Sequence, residues 1–370
     1  MQNCIGIIYG GKSGKNFGYL TDSRPEYMLP YGARYRIIDI ALSNFANNEF
    51  SNVVLYGGKI MRSTLDHLGN GESYELNRRR NGLVIFPPTF ENAGKEIFAY
   101  NETRDFYLRS SEEDLYFCDP MVIFREDFTE SHKRFTEENL DILLFCKKMT
   151  NATGLFVGET RLNLDDDGNL MSIGTNQGID DEFYMMTNIG YMKKTVFLEL
   201  VHDSLKNSSS NELIDIIISN LDKLKVGVYM VDGYVEVIRN LTQFYNSNLK
   251  LLNFEFYKNV FFKNGLLLTK SKDEPSALYG ESACVKNSLI ANGVKINGKV
   301  ENSIIFRGVE IEESAIVKNS VIFERSIIKK NAVVVNTISD KGVVIKENVT
   351  VVGNPNYPYE LKKYAVLEDK

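Results

Sequence analysis

The chain has 370 residues, 25% of them charged, and its 43 Lys+Arg against 49 Asp+Glu leave a net charge of −6. That length can hold one large and one smaller domain with real cores, and the mildly acidic balance removes any general attraction for nucleic acid. No run of about 18 apolar residues is present to span a membrane.

The opening MQNCIGIIYGGK moves straight into an apolar run and lacks the basic start and cleavage region of a signal peptide, so a cytoplasmic protein is expected. Cys4, Cys118, Cys146 and Cys284 are widely spaced and read as reduced thiols, mostly in the core. The scattered His67, His132 and His202 argue against a zinc site.

Cys4–Tyr9 is a short apolar run ending in Gly10-Gly11, a buried strand feeding a loop. Gly6 to Ser13 satisfies the phosphate-loop pattern GxxxxGK[ST], but Gly6, Ile7 and Ile8 lie inside the strand and leave the loop no length. The match reads as accidental. Ile37–Asn47 suits a helix with Ile38, Leu42 and Phe45 on one face. Asn52–Tyr56 reads as a second strand, ending at Gly57-Gly58, and residues 142–145 as a third. This alternation predicts an α/β domain with a mainly parallel sheet. Asp166-Asp167-Gly168-Asn169 reads as the turn of a hairpin. A calcium loop there would need a bidentate Glu where Gly174 stands.

After about residue 280 the texture changes. Ile290 and Ile296, Ile305 and Ile311, then Ile322, Ile328 and Val334 are aliphatics six residues apart, with Asn287-Ser288, Asn302-Ser303 and Asn319-Ser320 between them. That period predicts a parallel β-helix, whose end coils offer surfaces for subunit contacts.

The segment RPEYMLPYGARYRIIDIALSN (24–44), with the Gly10-Gly11 loop before it, resembles the start of the sugar-nucleotide pyrophosphorylases, in particular the ADP-glucose pyrophosphorylases. The likeness continues through 66–71, 76–82, 86–88, 188–191, 245–248 and 302–309, and is greatest to the GlgD type, a non-standard subunit beside the catalytic one. The resemblance implies a Rossmann-like nucleotidyltransferase domain over residues 1–255, a linker over 256–279 and a left-handed parallel β-helix over 280–370. It also implies a role in making ADP-glucose from ATP and glucose 1-phosphate.

Departures fall at chemically specific places. The family's catalytic Arg aligns with Asn16 and the Lys of its KP pair with Glu26, while the magnesium-holding Asp of its G-D pair aligns with Pro120-Met121. A second carboxylate segment aligns with Asn211 to Asp215, keeping only Asp215, and the base-reading Gln aligns with Gly58. The sugar-holding Glu-Lys pair falls near Thr175-Asn176, and the Trp-x-Asp-Val-Gly-Thr segment near residues 235–240. Phosphoryl transfer of this kind depends on alignment and cationic stabilisation, and one lost contact costs roughly 10²–10³ in rate. Gly10, Gly11, Asn16, Glu26, Gly58, Met121, Asn211 and Asp215 therefore read as a vestigial nucleotide and sugar pocket. No catalytic residue, cofactor or metal ligand is assigned, and magnesium is expected only if the chain is itself an enzyme.

Arg34 and Arg36 match basic positions near the family's effector site, and Arg78, Arg79 and Arg80 form a second basic cluster suited to a sugar phosphate. The expectation is a regulatory, non-catalytic subunit that assembles with a catalytic pyrophosphorylase subunit in a hetero-oligomer, a tetramer, or with itself. The alternatives are an active glucose-1-phosphate adenylyltransferase and a stand-alone sugar-phosphate or nucleotide sensor.

Overall fold

A computed structural model describes residues 3–11, 15–78, 81–89, 94–150, 154, 156–207 and 210–368. Its first domain is built on a nine-stranded sheet. Leu170–Thr175, Thr160–Leu164, Glu182–Lys193, Asp114–Cys118, Cys4–Tyr9, Asn52–Tyr56 and Gly82–Phe86 lie side by side in that order. Ile142–Thr150 also pairs with Glu182–Lys193 and carries Val226–Met230 beyond it.

The first strand is sandwiched: Cys4 and Ile8 face one buried layer, Ile5 and Ile7 the other. Its pairings with Asn52–Tyr56 and Asp114–Cys118 are parallel, as the alternation of strands and helices predicts. The sheet as a whole is mixed rather than mainly parallel, because Glu182–Lys193 runs antiparallel to three neighbours. Gly190 in that strand has a physical reason: a Cβ there would overlap the Leu143 carbonyl oxygen.

The helix Ile37–Asn47 forms where expected, with Asp39 Oδ2 accepting from the Arg36 amide at its start. It is buried from Ile37 through Phe45, not on one face only. The reason is a second cover: Ser43 Oγ accepts from the Leu268 amide, and Asn47 Nδ2 donates to the Leu266 carbonyl. The hairpin turn is present, with the Asp165 carboxylate accepting from the Asp167 and Asn169 amides. The expected linker is partly helical. Phe254–Phe262 crosses its boundary, because Phe256, Val260 and Phe261 bury an apolar face.

From Leu278 onward, three stacks of short parallel strands form a β-helix. Ile296, Ile311, Ile328 and Ile345 align in one stack, Val300, Val317, Val334 and Val351 in the next, and Ile290, Ile305 and Ile322 in the third. The Asn-Ser pairs are its corners. Asn287, Asn302 and Asn319 adopt left-handed φ of 41°, 47° and 47°, tolerated by Asn. Asn287 Nδ2 donates to Asn302 Oδ1 at 2.8 Å, and the hydroxyls of Ser303 and Ser320 accept from the next coil's amide. The two domains share one core, with Phe244 against Phe323 and the Tyr245 hydroxyl donating to the Asn319 carbonyl.

Candidate functional site

Beyond the carboxyl ends of Cys4–Tyr9 and Asp114–Cys118 lies a cavity of about 250 Å³, the usual ligand position on such a sheet. The structure brings Gly10, Asn16, Glu26 and Met121 together there, alongside Asp119, Glu159, Asn188 and Arg239. Gly11 and Gly58 line a smaller adjoining cleft with Tyr56, Lys59 and Pro87. Close packing explains the glycines locally. A Cβ on Gly10 would overlap the Tyr27 ring, and one on Gly58 would lie 3.1 Å from the Gly10 carbonyl oxygen.

Asn211 and Asp215 lie elsewhere. Both are exposed at the start of the helix Leu213–Ser219, where Asp215 accepts from Ser210 Oγ at 2.8 Å. Asn176 is buried and holds the turn at Phe156 through its side-chain amide, rather than facing the cavity.

The groups that dominate the cavity were missed in sequence. The short antiparallel ladder of Val122–Ile123 with Glu236–Val237 draws Arg239 alongside Asp119. Arg239 Nη1 donates to Asp119 Oδ2 at 2.9 Å, and its Nε faces Glu159 Oε1 at 3.5 Å. Burial works against the charged guanidinium, but Asp119 and Glu159 outweigh it and raise its pKa. The other Asp119 oxygen accepts from the Met121 amide at 2.9 Å. The carboxylate nearest the expected metal position thus belongs to Asp119, two residues before Met121, whose side chain is buried. Only the arginine at 239, inside the divergent 235–240 segment, hinted at this pairing.

Magnesium needs several unencumbered oxygens in near-octahedral array. Here a guanidinium already bridges Asp119 and Glu159, and no group of three or more His, Cys, Asp or Glu among the described residues could hold a metal ion. The residues present do not fit that cation. Asn188 Oδ1, buried on the cavity wall, has no hydrogen-bond partner among the described residues and offers an acceptor to a ligand.

The loop entering the cavity is held by the β-helix. Lys15–Thr21 forms a kinked 3-10 turn in which Leu20 N donates to Glu360 Oε1 at 3.0 Å. Gly18 sits at φ +55°, where a Cβ would overlap the Glu360 carboxylate. Nearby, Arg24 Nη2 reaches Asp340 Oδ1 at 2.8 Å in a fully buried pair. Arg36 Nη1 donates to the Met28 carbonyl, while Arg34 and Arg78 are exposed. Arg79 and Arg80 lie outside the described residues. Cys4, Cys118 and Cys146 are buried free thiols and Cys284 is an exposed one.

Residues 276–368 match the family model for a GlmU-like C-terminal hexapeptide. The chain is 30% identical over 303 residues to the glycogen biosynthesis protein GlgD of Geobacillus stearothermophilus, covering 80% of this chain and 78% of that protein. To GlgD of Bacillus subtilis (strain 168) it is 27% identical over 296 residues, covering 79% and 76%. To the glucose-1-phosphate adenylyltransferase of Clostridium botulinum (strain Alaska E43 / Type E3) it is 28% identical over 323 residues, covering 85% and 83%. No helix among the described residues is long and apolar enough to cross a membrane. With a nucleotidyltransferase-like sheet, a hexapeptide β-helix and these relatives, the chain belongs to the family of the GlgD glycogen biosynthesis proteins.

Proposed function

We propose that this chain is a non-catalytic, regulatory subunit of glucose-1-phosphate adenylyltransferase, assembling in the cytoplasm with a catalytic homologue in a hetero-oligomer, a tetramer. The observation that carries this reading is the Arg239 bridge between Asp119 and Glu159. Among the described residues, the pocket ties Asp119 and Glu159 to a guanidinium and sets Asn16 and Glu26 where the family's Arg and Lys align, which takes away cations and metal oxygens that stabilise a reacting phosphate.

A regulatory subunit acts by binding two states of its partner unequally. The contacts of Glu360 with the Leu20 amide and of Asp340 with Arg24 supply a mechanical link between β-helix and pocket loop. Arg34 and Arg78 are exposed and suited to a sugar-phosphate effector, while the half-buried Arg36 donates to the Met28 carbonyl. Co-purification with the catalytic homologue, and ADP-glucose synthesis by that homologue with and without this chain, test the role. No complex together with unchanged kinetics would discard it. Magnesium-dependent pyrophosphate exchange by the chain alone would favour an enzyme instead.

A further inference from the structure

A second, much larger cleft runs outward from the pocket loop, with a volume of about 1530 Å³. Its walls come from the far end of Ile142–Thr150, the segment 232–237, the start of the helix Leu241–Lys250 and the β-helix loop at Asn356 and Tyr357. Six carboxamides face it: Asn16, Asn240, Gln243, Asn246, Asn259 and Asn356. Asn240 and Gln243 use their oxygens on the backbone amides of Gln243 and Arg239, which holds both side chains in place. Asn246 and Asn259 make no side-chain hydrogen bond among the described residues.

Among the described residues the cleft's charges cancel. Lys147 and Lys250 are balanced by Asp232 and Glu236. Lys147 Nζ is spent on the Val231 and Asp232 carbonyls at 2.9 and 3.1 Å, and Lys250 pairs with Glu236. Such a lining has no net field to draw a polyphosphate.

Two tyrosines line the cleft. Tyr357 is 78% exposed on a loop whose backbone is held by reciprocal bonds between Tyr357 and Asn354, and the loop is tied to the first domain by Thr242 Oγ1 donating to the Asn356 carbonyl. Tyr234 is 44% exposed, set edge-on against Phe256 at 5.6 Å and beneath the Lys250 ammonium. Carboxamides donate and accept at once, which suits hydroxyl groups. Aromatic faces pack against apolar C–H surfaces, and two rotatable bonds per tyrosine keep the ordering cost low. The volume exceeds the roughly 300–1,000 Å³ of a single small-ligand pocket.

We infer that this cleft binds a neutral oligosaccharide, several sugar units long, with Tyr234 and Tyr357 as stacking platforms and the carboxamides reading hydroxyls. The choice of an α-glucan as that oligosaccharide rests on the proposed place in glycogen synthesis. Native electrophoresis through glycogen-containing gels, and calorimetry of the full chain with maltoheptaose, test the site. Retardation by glycogen and heat from maltoheptaose are expected, with inorganic phosphate failing to compete. Tyr357→Ala and Asn246→Ala alter exposed side chains and should leave folding intact, while each weakens maltoheptaose binding roughly two- to tenfold. No retardation and no heat would overturn the inference, as would undiminished binding by the double variant or displacement by phosphate. None of these outcomes depends on whether a catalytic partner is bound, so the site and the regulatory role fail separately.

Discussion

Replacing Arg239 by Ala leaves Asp119 and Glu159 facing each other without the cation that now lies 2.9 and 3.5 Å from them. Removing one partner of a buried ionic cluster costs about 3–5 kcal/mol. The Arg239 side chain is 28% exposed, so solvent screening trims the expectation to roughly 2–3 kcal/mol. For a chain of this size that is a fall in Tm of about 3–4 °C. Two carboxylates left together repel each other. They also become a cation site. Millimolar manganese should raise the variant's Tm by about 1–2 °C, the effect of a ligand at several times its Kd, and leave the parent unmoved. Differential scanning calorimetry with and without manganese reads both effects, and Arg239→Lys should recover part of the loss through its charge alone. Equal stability of parent and Ala variant, or equal stabilisation of both by manganese, would refute the argument that a guanidinium stands where a metal would.

Three further outcomes follow from the packing. Glu360→Ala removes the acceptor of the Leu20 amide, so hydrogen exchange at Leu20 should quicken on the scale of about 1–2 kcal/mol, whereas unchanged exchange would mean the β-helix does not hold the loop. Gly190→Ala drives a Cβ against the Leu143 carbonyl and within 2.9 Å of the Phe117 ring, and should lower stability by roughly 1–3 kcal/mol, read as a shifted urea midpoint. Burial alone would raise the Glu324 carboxyl, but Lys341 and Arg36 outweigh it and hold it at about 2, against 4.5 for a free glutamate. Its contribution is therefore complete above about pH 4.5 and lost as pH falls toward about 2, up to roughly 3 kcal/mol. Glu324→Gln should flatten the melting profile across that window, and an unchanged profile would assign the acid sensitivity to other groups.

Local pattern accounts for much of what could be read from the chain alone. The strands Cys4–Tyr9 and Asn52–Tyr56, the helix Ile37–Asn47 and the hairpin before Leu170 each follow from short apolar runs and turn residues acting within a few positions. The β-helix was legible because each coil repeats the same local demand: an aliphatic inward, then an Asn able to take a left-handed corner. Gly10, Asn16, Glu26 and Met121 were placed in one pocket by family likeness, and they do line one cavity.

Tertiary structure alone decided what that cavity contains. Asp119 and Arg239 are 120 positions apart, and only the Val122–Val237 ladder makes them neighbours. It likewise turned Asp215 outward, seated Glu360 on the Leu20 amide and brought Tyr357 and Tyr234 to one cleft. Period and propensity act along the chain, while ion pairs and cavities depend on which strand ends the fold brings together.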